Sequence, residues 1–135
     1  MKPKPVRVGR TSEDGIAPAM LGAIERGITR QPEVAERMRG RIVFRFSEPI
    51  APLRMSFKAR SVLVEDGDFR RPDLTVSGRL PDIVHIATAP HWRGLPSPRH
   101  KRGRAALGQV ARRRVAIVGD RKLARCLMQL LSVDV

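Results

Sequence analysis

The sequence is poor in the residues that mark several common protein classes. It contains one cysteine, one tryptophan, four phenylalanines and no tyrosine among 135 residues. The single cysteine, Cys126, excludes an internal disulfide and any zinc site built from several cysteines, and it fits a reducing compartment. The scarcity of aromatic side chains, with no helix-turn-helix pattern, makes nucleic-acid binding the least favoured of the alternatives considered below.

Long hydrophobic runs are also missing. The longest, residues 16–24, is interrupted by Pro18 and Gly22, and it is far shorter than the about 20 residues of a membrane-spanning helix. Residues 1–15 lack the apolar segment of a secretory signal. We therefore expect a cytoplasmic protein that reaches a membrane only as a peripheral protein.

No pattern of catalytic or metal-binding residues is present. The chain has no Gly-x-Ser-x-Gly turn, no phosphate-binding glycine loop and no paired catalytic carboxylates. His85 has no histidine four residues away and no nearby cysteine, so we expect no metal site. The acidic residues Glu65, Asp66 and Asp68 lack the further oxygen ligands of a calcium loop and are assigned to a hairpin turn. We expect a protein that is not an enzyme and needs no cofactor.

Acidic residues are absent from two basic segments. The 27 lysines and arginines exceed the 13 acidic residues, which gives a net charge of +14. Four of the cations lie in residues 1–10 and eight in residues 93–114, whereas the rest of the chain is nearly balanced. This segregation indicates an anionic partner such as a membrane, a nucleic acid or an acidic protein, with solvated surface charge as the alternative. The domain is assigned to residues 16–135, preceded by a flexible basic arm at 1–15 and containing a basic loop at 91–111.

The basic loop also contains the only tryptophan of the chain. Trp92 lies between His91 and Arg93, and an indole beside cations is typical of the lipid headgroup layer. Each cation near an anionic lipid surface contributes up to about 1 kcal/mol. We predict that a peripheral membrane contact involves Trp92, Arg93, Arg99, Lys101, Arg102 and Arg104.

Hydrophobic periodicity predicts an α+β protein. Apolar residues recur at helical spacing near the N-terminus, then alternate with polar residues, with turns at Pro49, Pro52 and Asp66-Gly67. The strand pairings are expected to be antiparallel and local. The predicted elements are helices at 16–29, 32–39, 81–89 and 105–111, strands at 41–48, 53–60, 61–65, 73–77 and 113–118, and a final helix after Asp120.

The final helix has the most apolar face in the chain. Asp120 is its predicted N-cap, and Leu123, Leu127 and Leu131 recur every four residues in one row. That row must be buried, either against the core of the protein or against a lipid. Periodicity alone leaves both alternatives open.

Three segments together resemble the sterol carrier protein type-two domain family. They are Asp73–Gly78, Pro81–Ala87 and Arg114–Ala124, and the last matches the closing strand, Gly-Asp turn and Leu-Ala-rich helix of that family. The resemblance implies a five-stranded, mostly antiparallel sheet with helices packed on one face around a hydrophobic tunnel. It also implies a sterol, fatty acyl or isoprenoid ligand. The basic loop is longer and more basic than is typical of the family.

We therefore expect a non-catalytic lipid-binding and lipid-transfer domain whose basic surface docks on anionic membranes. An accessory or scaffold subunit of a lipid or quinone pathway, with a filled core and a partner enzyme, is the alternative, and a nucleic-acid-binding module is the third. The same apolar residues line a tunnel in the first case and fill a packed core in the second. The candidate ligand-binding residues are Phe44, Phe46, Met55, Phe57, Ile83, Ile86, Leu123, Leu127, Met128 and Leu131.

Overall fold

The computed structural model describes residues 5–88, 91–92, 95–96 and 115–132, with only the backbone for 88, 91–92 and 95–96. These residues form four helices and eight strands. In chain order they are β1 (Val6–Val8), α1 (Ala17–Arg30), α2 (Pro32–Arg37), β2 (Gly40–Phe46), β3 (Leu53–Phe57), β4 (Val62–Asp66), β5 (Leu74–Gly78), α3 (Leu80–Thr88), β6 (His91–Trp92), β7 (Leu95–Pro96), β8 (Val115–Gly119) and α4 (Arg121–Leu131). The predicted helix at 105–111 lies outside the described residues. No helix in these ranges is long and apolar enough to cross a bilayer.

Six strands form one mixed sheet in the order β1-β4-β3-β2-β5-β8. The pairs β2–β3, β3–β4 and β5–β8 are antiparallel, whereas β1–β4 and β2–β5 are parallel. The prediction of an α+β fold with a mostly antiparallel sheet is confirmed. The expectation that all pairings are local and antiparallel is wrong, because β5 returns beside β2 in the same direction.

The sixth strand comes from the segment assigned to a flexible arm. Within residues 1–15 Val6–Val8 form β1, which extends the sheet from the predicted five strands to six. The Val62 N–H donates to the Pro5 carbonyl (3.0 Å), and the Gly9 N–H donates to the Val64 carbonyl (2.8 Å). Because both contacts join the segment to β4, this part of the predicted arm belongs to the sheet.

One carboxylate fixes the path from β1 into α1. Asp66, at the end of β4, is only 1% exposed. Its carboxylate accepts hydrogen bonds from the backbone N–H of Ser12 (2.8 Å) and of Ala17 (3.2 Å), the first residue of α1. A buried carboxylate needs such donors. The assignment of Glu65, Asp66 and Asp68 to a hairpin turn is wrong, because β4 and β5 are not neighbours in the sheet, and Asp66 instead holds the chain between β1 and α1.

The four helices cover one face of the sheet. Alternate residues of the central strands point into this layer. Asp120 is the N-cap of α4, as predicted, because its side chain accepts a hydrogen bond from the Leu123 N–H (3.1 Å). The core consists of Ile24, Ile28, Val34, Ala35, Met38, Ile42, Phe44, Leu53, Met55, Phe57, Val62, Val64, Leu74, Val76, Ile83, Ile86, Leu123, Cys126, Leu127, Met128, Leu130 and Leu131, with smaller residues between them.

The opposite face of the sheet is mostly polar, and several of its charged side chains are paired. Arg54 binds Glu65 (2.7 Å) and stacks on Phe69, with its guanidinium carbon 5.2 Å from the ring centroid. Arg41 approaches the same ring at 5.5 Å, and Arg45 pairs with Asp68 (3.1 Å). These contacts pair several of the charges on this face with one another, whereas the apolar residues of the sheet face the helices.

Candidate functional site

A partly open cavity of about 480 Å³ lies between the helices and the end of β2. It is lined by fifteen described residues from α1, β2, α3 and the C-terminal end of α4: Ile16, Ala19, Met20, Ala23, Arg26, Arg30, Phe44, Phe46, Leu80, Ile83, Val84, Ala87, Leu130, Leu131 and Ser132. Twelve of these fifteen side chains are apolar. Small-molecule binding sites typically have volumes of about 300–1,000 Å³, and the volume of this cavity falls within that range.

The floor of the cavity is an aromatic pair on β2. Phe44 and Phe46 are two residues apart and therefore point to the same face of the sheet. Phe44 is fully buried, between Leu53 of β3 and Val76 of β5 in the register of the sheet. Phe46 is only partly buried, so the floor becomes more accessible toward the end of the strand.

The walls come from two helices that each present an apolar face. On α1, Met20 and Ala23 follow Ile16 at helical spacing, and on α3, Leu80, Ile83 and Ala87 do the same. Both α1 and α3 pack on α4, but they share few contacts with each other. The cavity is the space that this arrangement leaves between α1 and α3, and the alanines on both walls keep it wide.

The rim of the cavity carries positive charge. Arg26 and Arg30 lie one turn apart on α1, and both are exposed. The Arg30 guanidinium donates to the backbone carbonyls of Leu130 (3.1 Å) and Ser132 (2.6 Å), so it holds the C-terminal end of α4 against α1. No acidic side chain occurs among the described residues that line the cavity.

Four of the ten candidate ligand-binding residues line this cavity: Phe44, Phe46, Ile83 and Leu131. The other six, Met55, Phe57, Ile86, Leu123, Leu127 and Met128, are buried in the core beside it and are not part of its lining. Leu123 contacts a separate, smaller hollow near Cys126. The structure thus locates the space at one end of α4, whereas the leucine row predicted to cover a tunnel mostly packs against the protein itself.

Sequence reasoning did not assign the α1 side of the cavity to the site. The apolar spacing near the N-terminus predicts the helix at 16–29, but it does not show that Ile16, Met20 and Ala23 form a cavity wall. The alanines at 19, 23 and 87 were the available signal, since small side chains facing each other leave volume unfilled. The two arginines at the rim were missed entirely.

The predicted membrane-docking residues fall outside what the structure describes. Arg93, Arg99, Lys101, Arg102 and Arg104 lie outside the described residues, and of Trp92 only the backbone is placed. That backbone pairs with Leu95, and β6 and β7 form a two-stranded antiparallel sheet. The described residues at the start of the 91–111 segment, predicted as a loop, therefore form two short paired strands.

Metal binding finds no support in the described part of the chain. There, no group of three or more His, Cys, Asp or Glu side chains is arranged to hold an ion. Cys126 is buried in the packed face of α4.

Comparison with solved structures places this architecture in a known fold. The sterol carrier protein domain 2 of Helicoverpa armigera superposes with a TM-score of 0.59 at 19% identity, over 91% of this chain and 92% of that one. The fold is that of the sterol carrier proteins. The UbiJ-SCP2 ubiquinone synthesis protein superposes with a TM-score of 0.58 at 14% identity, over 87% of this chain and 85% of the other. The sequence matches no protein-family model and no curated protein.

The sterol carrier fold confirms the resemblance read from three short sequence segments. Those segments correspond to β5, to α3, and to the unit formed by β8, Gly119 and α4. At these identities the likeness concerns the fold.

Proposed function

We propose that this protein is a non-catalytic lipid-binding protein that holds the apolar part of a ligand in the cavity between α1, α3 and the end of α4. The observation that carries the proposal is the cavity itself, which joins a volume of about 480 Å³ to an almost entirely apolar lining. The aromatic floor and the flexible side chain of Met20 suit a ligand of variable shape. The related structure from Helicoverpa armigera is named as a sterol carrier domain, which supports the same ligand class.

Exchange with membranes is energetically easy for such a site. Moving an apolar chain from water into the cavity gains about 0.8 kcal/mol per methylene, but moving it from a bilayer is nearly neutral because the bilayer is already apolar.

A protein that exchanges lipid with a membrane also needs an accessible opening and a docking surface. Val84 is 48% exposed at the edge of the cavity, and the basic residues predicted to contact lipid phosphates follow α3 in the chain. We propose this segment as the docking surface.

The second candidate is an accessory subunit of an isoprenoid-quinone pathway. The likeness to the UbiJ-SCP2 ubiquinone synthesis protein favours it. A quinone with an isoprenoid tail is itself an apolar ligand, so the two candidates share the cavity. They differ in whether ligand is carried between membranes or presented to a partner enzyme.

Filling the cavity tests the proposal directly. Ala19 is exposed on α1 and lines the cavity, so Ala19→Trp places an indole in the opening. Thr29→Trp is the matched control, because Thr29 is exposed on the same helix and is not part of the lining. Binding of Nile red, a neutral apolar dye, is measured by fluorescence, and lipid retained after gentle purification is measured by native mass spectrometry and organic extraction.

The expected result is binding to the wild type and to Thr29→Trp, with a loss of about tenfold or more in Ala19→Trp, since blocking a desolvated pocket removes most of the gain from apolar burial. The proposal fails if the wild type neither retains lipid nor binds the dye. It also fails if both tryptophan variants bind as the wild type does.

A further inference from the structure

The described lining of the cavity is asymmetric in charge. Apart from Ser132, its polar side chains are Arg26 and Arg30, and both lie on the same helix. Residues four apart on a helix have Cβ atoms about 5–6 Å from each other, so two such guanidinium groups can reach one anion. The rest of the lining is apolar and would accept a hydrocarbon chain.

The two arginines differ in what they already bind. Arg30 donates to the carbonyls of Leu130 and Ser132, and these carbonyls carry the partial negative charge of the C-terminal end of α4. Arg30 is thereby committed to holding α4. Within the described residues Arg26 makes no hydrogen bond and no ion pair, although it lies at the opening of an apolar site.

From this geometry we infer that the ligand is an amphiphile with an anionic head, a carboxylate or a phosphate monoester, and that Arg26 binds this head while the chain enters the cavity. This inference rests on the proposed function. A guanidinium group binds such heads through paired N–H donors with favourable geometry. A neutral lipid such as a sterol would fill the same volume without using Arg26.

A position at the rim avoids most of the free-energy cost of burying the charged head. A carboxylate moved into an apolar interior loses its hydration unless it is paired. At the rim the head stays partly hydrated and gains a charge-assisted hydrogen bond, while the chain alone is removed from water. Arg26 therefore contributes selectivity between acidic and neutral lipids more than it contributes total affinity.

The test compares ligands that differ only in charge. Binding of the fluorescent fatty acid parinaric acid is compared with binding of its neutral methyl ester, for the wild type, for Arg26→Gln and for Arg125→Gln. Arg125 is exposed on α4 and is not part of the cavity lining, so it controls for net charge. In a second arm, a lysophosphatidic acid and the monoacylglycerol with the same chain compete for the site and distinguish a phosphate head from a carboxylate head.

We expect the wild type and Arg125→Gln to bind the acid more tightly than the ester by about three- to tenfold, as one partly exposed charge-assisted hydrogen bond provides. Arg26→Gln should lose this preference and keep its affinity for the ester within about twofold. The inference is overturned if the acid and the ester bind equally to the wild type, or if Arg26→Gln weakens both alike; the cavity would then remain a lipid site. If neither probe binds, the proposed function fails together with the inference.

Discussion

Gly27 of α1 lies directly against the backbone carbonyl of Leu130 in α4. A Cβ atom at position 27 would collide with the carbonyl oxygen and approach the carbonyl carbon to 3.0 Å. Both residues are buried, and Leu130 also lines the cavity. This contact therefore sets how closely the two helices approach beside the candidate site.

The first prediction is that Gly27→Ala destabilises the protein, even though alanine is the better helix former. Since the obstructing atoms belong to the backbone, α1 and α4 must separate, and overpacking of this kind costs about 1–3 kcal/mol. The free energy of unfolding is measured by chemical denaturation. Gly22→Ala is the matched control, because a Cβ there meets only the flexible end of Arg26 at 3.3 Å.

Gly22→Ala should be neutral or should stabilise α1 by up to about 1 kcal/mol, the usual gain from replacing glycine inside a helix. Opposite signs for the same substitution in the same helix would establish that the close approach to α4 is what requires Gly27. Equal effects of the two substitutions would contradict it.

The second prediction concerns Glu65 on the polar face of the sheet. A hydrogen bond from the backbone N–H of Arg10 (3.0 Å) lowers the pKa of Glu65 below its ordinary value, and the Arg54 guanidinium lowers this pKa further, against the opposing effect of partial burial. A carboxyl whose pKa is lowered on folding stabilises the folded state above its unfolded pKa, and this stabilisation is lost as the pH falls through the folded pKa.

Glu65→Gln should therefore be less stable than the wild type at neutral pH, by about 1–2 kcal/mol for the loss of charge-assisted hydrogen bonds. The difference should shrink as the pH falls below about 4.3, the value for an unperturbed glutamate. Denaturation curves at several pH values measure both effects, with Glu25→Gln on the exposed side of α1 as the control. A difference that does not change with pH would rule out the ion pair as its cause.

Local patterns in the sequence were sufficient for most elements but not for the strand order. The β8–α4 unit was predicted closely because its signals are short in range: Gly119 adopts a φ of 127°, and Asp120 caps the next helix. β1 was missed because three residues among prolines and cations carry little periodicity. β1 is held by its pairing with β4, and the segment after β1 is held by the Asp66 carboxylate, both more than fifty residues away in the chain.

Whether the apolar faces enclosed a space was beyond sequence reasoning. Periodicity shows that Leu127 and Phe44 are buried, but it does not show whether the opposing surface is a side chain or a void. In the structure the two residues differ, because Leu127 packs in the core whereas Phe44 reaches the cavity. The difference arises from the positions of α1 and α3 relative to α4, which depend on tertiary packing.

The third prediction is that Arg30 holds the C-terminal end of α4 in place. Arg30→Ala removes the donor to the carbonyls of Leu130 and Ser132, and each lost hydrogen bond costs about 0.5–1.5 kcal/mol. The free energy of unfolding should fall by about 1–2 kcal/mol, and amide hydrogen exchange should accelerate in the last turn of α4. Arg125→Ala on the exposed face of the same helix should change neither quantity, and equal effects of the two variants would contradict the assignment.

The fourth prediction tests the basic segment as a membrane-docking surface. Each cation near an anionic leaflet contributes up to about 1 kcal/mol, so reversing both charges in Arg102→Glu/Arg104→Glu should weaken binding to anionic vesicles by at least about tenfold. Binding is measured by vesicle cosedimentation at low salt and at about 0.15 M salt, where screening shortens the reach of the charges to about 8 Å. Arg70→Glu/Arg71→Glu changes the net charge equally at two exposed positions between β4 and β5. If docking depends on the location of the charge, only Arg102→Glu/Arg104→Glu weakens binding to the vesicles. If both double variants weaken binding equally, docking depends on net charge alone, and the assignment to residues 91–111 is wrong.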